Sequence, residues 1–276
     1  MEKFFKSLFL KKRERMKKFI LSFVSMMLVF TSVVNANSIN SITMDIYIDA
    51  NGNANVTEVW NCTANQGTES YHSYYNLGQS EITNLQVKDE DGVTYTPVFS
   101  WNVNGGFESK KYKCGINEIV DGVELCWGIS EYGKKTYTVN YEISNFVVGL
   151  TDSQMVYWTL IPHNFSDTIE NVEITVHADE KFEDTLDVWG YGEYDAPVYV
   201  YDGTVKLHSN GSMTKDESKV LLIKFPAGTF NTSVTSNNSF EYYLNMAEEN
   251  IDDTSESSDI FETVVGLIKS IIVLWF

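Results

Sequence analysis

The chain has 276 residues, 43% of them hydrophobic, which is enough to bury a substantial core and excludes a disordered or fibrous protein. Its formal net charge of −18 is unevenly spread: residues 1–36 hold eight Lys/Arg and two Asp/Glu, leaving twelve Lys/Arg against thirty-six Asp/Glu, or −24, from residue 37 onward. So acidic a surface repels phosphate backbones, which excludes nucleic acid as a partner.

The first 36 residues have the composition of a signal peptide. A cationic stretch precedes an apolar run over residues 19–34, and Val34-Asn35-Ala36 supplies a small-residue cleavage site. We therefore predict a signal peptide over residues 1–36 and export of the remainder. The alternative is an uncleaved N-terminal anchor.

Residues 37–240 show one predicted strand after another, and no stretch among them has a helical period. In residues 137–143 the apolar side chains alternate with polar ones, and the same period of two returns in residues 172–178. The other predicted strands are Ile42–Asp49, Asn53–Cys62, Glu81–Lys88, Val93–Phe99, Gly122–Trp127, Gln154–Ile161, Pro197–Tyr201, Thr204–His208 and Lys219–Phe225.

Turn residues separate these strands at short intervals. Four dipeptides that tolerate positive φ indicate hairpins: Asn51-Gly52, Asp91-Gly92, Asp121-Gly122 and Asp202-Gly203. Half-buried strands joined by hairpins are stable when two sheets pack face to face. The predicted fold is an all-β, antiparallel β-sandwich over residues 37–240.

The C-terminal segment changes composition twice. Residues 241–259 are acidic and rich in Ser, typical of a linker, and residues 260–276 are apolar. Seventeen residues would form about 25 Å of helix, short of a hydrocarbon core of about 30 Å. We expect residues 260–276 to begin a transmembrane helix in a truncated chain that contacts membrane lipid. An amphipathic tail lying on the membrane is the alternative.

Glu58 is the one carboxylate that the strand pattern directs toward the core. In an unbroken strand it faces the same side as Val56 and Trp60. A buried carboxylate with a raised pKa can act as a general acid, so Glu58 is the candidate catalytic residue. The structural alternatives are a bulge that turns it outward and an ion pair inside the sandwich.

Several other residues are candidates for binding or cross-linking. Two aromatic clusters could form exposed platforms, Tyr71–Tyr75 and the segment that holds Trp189, Tyr191 and Tyr194. His163 lies in a loop after an apolar strand. Core or cross-strand packing is the alternative for the aromatic residues. Cys114 and Cys126 either close a small disulfide, leaving Cys62 free, or stay unpaired.

Three segments resemble a known family. They are NSINSITMDIYIDANGNANVTEVW, SEITNLQVKDEDG and YTVNYEISNFVVGLTDSQMVYWTLIPHNFSDTIENVEITV. Their order is similar to the N-terminal region of a bacterial family of predicted membrane proteins, the domain of unknown function 2207 family. The resemblance covers roughly residues 38–230, and it implies a signal peptide, an exported β-rich domain, a transmembrane helix and a cytoplasmic remainder. It implies no activity and no catalytic residues.

Two functions remain in keeping with the sequence. The first is a membrane-anchored, extracytoplasmic β-sandwich that binds an envelope protein or glycan without catalysis. The second is an envelope glycan hydrolase that uses Glu58 and a second carboxylate across a cleft. The sequence has no phosphate-binding loop and no zinc or Cys/His motif, so we predict no cofactor and no metal site.

Overall fold

The computed structural model describes residues 37–166 and 168–249, and this part of the chain is mostly β. The predicted signal peptide, the part of the predicted linker after residue 249 and the predicted transmembrane segment lie outside the described residues. The strands are β1 (Ser38–Ile48), β2 (Ala54–Ala64), β3 (Glu69–Tyr75), β4 (Ile82–Lys88), β5 (Thr96–Pro97), β6 (Lys113–Ile119), β7 (Gly122–Gly128), β8 (Gly133–Ile143), β9 (Val148–Gly149), β10 (Gln154–Ile161), β11 (Thr168–Ile169), β12 (Val172–Ala178), β13 (Asp187–Tyr191), β14 (Val198–Tyr201), β15 (Thr204–His208), β16 (Met213–Thr214) and β17 (Lys219–Phe225).

In the described part of the chain, two helices accompany these strands. The short helix α1 spans Phe107–Lys110, and α2 covers residues 240–249. No helix within the described ranges combines the length and the hydrophobicity that crossing a bilayer requires.

The strands form three sheets. The large sheet has the order β14-β15-β12-β1-β2-β8-β4, with β11 beside β1 and β16 beside β11. The first small sheet has the order β3-β7-β6-β5, and the second has the order β13-β17-β10-β9.

The large sheet is mixed, which corrects the prediction of a purely antiparallel fold. Strand β1 pairs in parallel with both β12 and β11, and β5 pairs in parallel with β6 in the first small sheet. Parallel neighbours need a long crossover connection. The chain between β1 and β12 supplies one, and it builds the whole first small sheet and strands β9 and β10 of the second before it returns to the large sheet.

One apolar core joins the three sheets. Alternate residues of β1, β2 and β8 point into it, in the inward-outward period that the sequence predicted. The Trp60 ring on β2 meets the Trp127 ring on β7 edge to face, with centroids 5.0 Å apart. Buried residues of β10 and β17 in the second small sheet complete the same core. The large sheet therefore lies on one side of this core and the small sheets on the other.

Helix α2 covers the outer face of the second small sheet. Its Phe240 and Ala247 are buried in a separate apolar cluster with Met155 and Leu222. Strand β10 is therefore covered on both faces, which explains its nearly continuous apolar sequence. The segment predicted as an acidic linker from residue 241 thus begins as part of the folded structure.

Candidate functional site: an aromatic groove over a buried glutamate

Glu58 lies at the centre of the core, on β2. Its parity places the side chain on the inward face, and its exposure is 0%. The strand carries no bulge at this position, because Glu58 pairs in register with Met44 on β1 and Val139 on β8. Of the two structural alternatives for Glu58, an outward-turning bulge and an internal ion pair, the structure shows the ion pair, and the partner is His72.

Four side chains surround the Glu58 carboxylate. His72 Nδ1 lies 2.9 Å from Oε1 and 3.0 Å from Oε2, and the Trp60 Nε1–H donates to Oε2 at 2.6 Å. The Tyr141 hydroxyl donates to Oε1, and the Tyr74 hydroxyl lies 3.4 Å from the same oxygen and is hydrogen-bonded to Tyr141. We call these five residues the Glu58 cluster.

The His72 ring ties the three sheets together. Its Nε2 lies 2.9 Å from the backbone carbonyl oxygen of Leu160 on β10, while its Nδ1 faces Glu58 on β2. A carbonyl oxygen can only accept a hydrogen bond, so Nε2 must be protonated and act as the donor. His72 itself belongs to β3, and one imidazole therefore connects the large sheet with the facing edges of both small sheets.

The Glu58 cluster holds its carboxylate in the ionised form. Burial raises the pKa of Glu58, but the charge and hydrogen bond of His72, with those of Tyr141 and Trp60, lower it below the usual 4.5. Burial and the neighbouring Glu58 charge raise the pKa of the Tyr74 and Tyr141 hydroxyls well above 10.0. Both tyrosines therefore stay neutral donors.

This geometry contradicts the glycan hydrolase alternative. That mechanism requires Glu58 to face a second carboxylate across an open cleft, and Glu58 is instead enclosed on all sides. Its oxygens accept hydrogen bonds from core side chains, so they are committed before any substrate arrives. A general acid would also need a raised pKa, whereas the pKa of Glu58 is lowered.

A groove of about 1060 Å³ is lined in part by Phe165, whose ring also contacts the rings of His72 and Trp60 in the Glu58 cluster. It runs between β3, the edge strand of the first small sheet, and β10, whose neighbour β9 pairs only with Gln154 and Met155. Tyr71 and Tyr75 line the β3 side with 47% and 45% of their surface exposed. We call this space the aromatic groove.

The floor of the aromatic groove is rigid because the core packs against it. Phe165 lines the groove and contacts the His72 ring at 4.8 Å and the Trp60 ring at 5.3 Å. Trp158, also in the lining, stacks on Phe146 at 5.3 Å and donates its indole N–H to the Phe146 carbonyl at 3.3 Å. The Glu58 cluster therefore fixes the spacing of the two walls.

The polar lining of the aromatic groove is mostly uncharged. It contains Glu124, a few hydroxyls and the amide side chains Asn76, Gln79, Asn145 and Asn164. Such a surface of aromatic faces and amides suits a ligand with hydroxyl or amide groups and an apolar face.

The predicted binding residues fall in different places. His163 lines the aromatic groove, exposed, with its Nδ1 3.0 Å from the Asp216 carbonyl oxygen. Trp189 and Tyr191 lie half-buried beside α2, where Trp189 contacts the Phe240 ring at 5.2 Å, so they do not form an exposed platform. Tyr194 is 91% exposed in a turn.

Of the two alternatives for Cys114 and Cys126, a small disulfide or unpaired thiols, the structure has the unpaired thiols. Cys114 points into the core, whereas Cys126 pairs in register with Gly115, one position along, and faces the opposite side of the sheet. Alternation along a strand therefore separates the two sulfur atoms. Burial raises the pKa of the Cys114 thiol, and that of Cys62 to about 11.

Sequence reasoning singled out the aromatic cluster Tyr71–Tyr75, but it missed the pairing of His72 with Glu58 because it did not predict β3. The segment Tyr71 to Tyr75 has aromatic residues at positions of both parities, so hydrophobic alternation does not reveal a strand there. The usable signal was the spacing of His72 and Tyr74. Residues two apart on a strand point to the same face, so both side chains would lie on the same side of β3.

Comparison with known proteins identifies a family. The model described as "Predicted membrane protein (DUF2207) N-terminal domain" matches residues 38–214. Among curated proteins, none matches this chain.

Solved structures give only distant likenesses. Native leukotriene A4 hydrolase from Saccharomyces cerevisiae has a TM-score of 0.40 and 6% identity, over 68% of this chain and 29% of that one. An aminopeptidase N family protein from Idiomarina loihiensis has a TM-score of 0.36 and 12% identity, over 66% of this chain and 29% of that one. An M1 zinc metallopeptidase from Deinococcus radiodurans has a TM-score of 0.32 and 12% identity, over 68% of this chain and 42% of that one. The chain spans less than half the length of each, and likeness at this level carries no inference about activity.

Proposed function

Because the chain belongs to the family of predicted membrane proteins with the DUF2207 N-terminal domain, we propose that its described part is a non-catalytic binding module of the cell envelope. In this proposal the module is exported, anchored to membrane lipid through the C-terminal segment, and placed on the extracytoplasmic side. Its ligand occupies the aromatic groove. The observation that carries the proposal is the pair of half-exposed tyrosines, Tyr71 and Tyr75, on a wall that the buried Glu58 cluster holds in place.

The chemistry of the groove favours an uncharged saccharide chain as the ligand. Tyr71 and Tyr75 lie on one face of β3, about 13 Å apart along the strand at 3.3 Å per residue. Ring faces at that spacing can each cover a separate sugar of an extended glycan, while the amide side chains bond its hydroxyls. The −24 formal charge from residue 37 onward repels polyanions and does not disfavour the binding of neutral glycans.

The Tyr71→Ala and Tyr75→Ala variants test this site. We expect each to weaken binding of the full chain to insoluble chitin, an uncharged glycan with amide and hydroxyl groups, by about threefold to tenfold, since an aromatic contact contributes about 0.5–1.5 kcal/mol. Co-sedimentation measures the affinity, and thermal unfolding checks that the variants remain folded. Tyr201→Ala is the matched control, because Tyr201 is 68% exposed and lies outside the groove.

Equal binding by all three variants and the unchanged chain would disprove the groove as the site. Binding to an envelope protein extract but not to chitin, still sensitive to Tyr71→Ala, would keep the site and replace the glycan with a protein.

Placement outside the cytoplasm is tested by surface labelling. Lys181 and Lys215 have side chains that are 73% and 57% exposed, so an amine reagent can reach them. We expect a membrane-impermeant amine reagent to label the chain on intact spheroplasts, while a cytoplasmic enzyme stays unlabelled. Labelling of the chain only after lysis would contradict the proposed orientation.

A further inference from the structure

A second cavity, of about 650 Å³, lies at the rim where strands of two sheets end. Ile48 closes β1, Ala178 closes β12 and Phe225 closes β17, and all three line it. The cavity shares no lining residue with the aromatic groove. Its volume falls within the range of about 300–1,000 Å³ that small-molecule sites occupy.

Three phenylalanine rings form an apolar floor for this rim cavity. The Phe225 ring lies 5.4 Å from Phe182 and 5.1 Å from Phe230 between centroids. Gln154 fixes Phe230, because its amide donates to the Phe230 carbonyl at 2.8 Å and accepts from the Phe230 N–H at 2.9 Å. The floor is therefore built from buried, held residues, each at most 9% exposed.

The mouth of the rim cavity is acidic. Five carboxylates line it, namely Asp152, Asp179, Glu180, Glu183 and Asp187, against Lys181 and Lys224. Lys181 is paired with Asp202 outside the lining, and the Lys224 ammonium lies 5.1 Å from the Phe240 ring. Within the described residues, Glu180, Glu183 and Asp187 are exposed and form no side-chain hydrogen bond or ion pair. The five carboxylates outnumber the two lysines, so the net charge of the lining is negative.

We propose that the rim cavity binds a small amphipathic cation, with an aromatic or branched alkyl group on the phenylalanine floor and an ammonium or guanidinium at the carboxylates. The apolar part gains by leaving water, and the cation gains both from the carboxylates and from the faces of aromatic rings. An anion of the same shape meets repulsion instead. This proposal goes beyond the function proposed for the aromatic groove and does not depend on it.

An organic cation fits better than a bare metal ion. In residues 37–166 and 168–249, no three His, Cys, Asp or Glu side chains converge as metal ligands. The carboxylates that line the cavity can attract a bulky organic cation without having to replace a complete hydration shell.

Three probes that differ in one feature each test the proposal by isothermal titration of the full chain. We expect 4-phenylbutylammonium to bind with a Kd on the order of 0.1–1 mM, in line with a ligand of this size. The anion 4-phenylbutyrate should bind about tenfold more weakly because its charge is reversed, and butylammonium should do so because it lacks the ring. High salt should reduce the difference between cation and anion.

The double variant Glu183→Gln/Asp187→Asn locates the charge effect. Both residues are exposed and unpaired, so the fold should be unchanged, and the affinity for 4-phenylbutylammonium should fall about threefold to tenfold. Glu118→Gln/Glu241→Gln removes the same charge from exposed positions outside the cavity and should leave the affinity unchanged. Equal affinity for cation and anion, equal loss in both double variants, or no binding of any probe would each overturn the proposal.

Discussion

Replacing Glu58 with Ala should lower the free energy of unfolding of the chain by about 3–5 kcal/mol, the range found when one member of a buried ion pair is removed. The change leaves His72 buried at 0% exposure without its carboxylate partner. It also removes the acceptor for the Trp60 and Tyr141 donors, both of which are buried. Urea unfolding followed by tryptophan fluorescence measures the loss.

Two variants separate charge from shape. Glu58→Gln keeps the volume and some hydrogen bonds of Glu58. Its free energy of unfolding should therefore lie between that of the original chain and that of Glu58→Ala. Glu173→Ala removes an exposed carboxylate from β12 of the same sheet and should change the unfolding free energy by less than about 0.5 kcal/mol. If Glu58→Ala cost no more than Glu173→Ala, the Glu58 cluster would not be what holds the sheets together.

The same pair makes a signed prediction about pH. The pKa of Glu58 is lower in the folded chain than its usual 4.5, so its stabilisation is fully present above that value and is lost as the pH falls through the folded pKa. Below about pH 4.5, the original chain should therefore lose stability more steeply than Glu58→Gln. Other carboxylates with lowered pKa, such as Glu90 and Asp152, are present in both proteins and cancel in the difference. Equal slopes would contradict the ionised state assigned to Glu58.

Much of the strand pattern could be predicted from period-two alternation. Gln154–Ile161, Thr204–His208 and Lys219–Phe225 have the predicted bounds, and the inward direction of Glu58 followed from its parity with Val56 and Trp60. Alternation is reliable here because each strand faces one apolar core, so a one-residue slip would expose the whole buried set.

Pairing partners and polar strands could not be predicted in the same way. Strand β5 is only Thr96–Pro97 although Val93–Phe99 was predicted, and β6 and β13 lacked a clear pattern. The parallel neighbour of β1 is distant in sequence, and no local propensity encodes that choice. The partner of Glu58 depended on β3, so the sequence indicated half of the ion pair and the tertiary structure supplied His72.

Gly122 illustrates a residue whose predicted reason was incomplete. The Asp121-Gly122 pair was expected to need positive φ, yet only Asp121 adopts it, at +60°. The requirement at Gly122 is instead space, because a Cβ there would lie 2.0 Å from the Tyr74 carbonyl oxygen and 3.0 Å from the Tyr75 Cα. Backbone atoms cannot move aside by changing rotamer, so strand β3 itself would have to shift.

Gly122→Ala should therefore destabilise the chain by about 1–3 kcal/mol or more, the usual cost of overpacking, and it should also weaken ligand binding in the aromatic groove. The two effects go together because β3 carries both His72 of the Glu58 cluster and Tyr71 and Tyr75 of the groove wall. Urea unfolding and co-sedimentation with chitin measure them on the same preparation.

Gly106→Ala is the matched control for this substitution. A Cβ at Gly106 meets nothing within 4 Å, and its φ of −75° is one that alanine readily adopts. Its stability and binding should therefore stay close to those of the original chain. A Gly122→Ala variant that matched Gly106→Ala in both measurements would show that β3 can move without cost, and the coupling between the buried glutamate and the groove above it would fail.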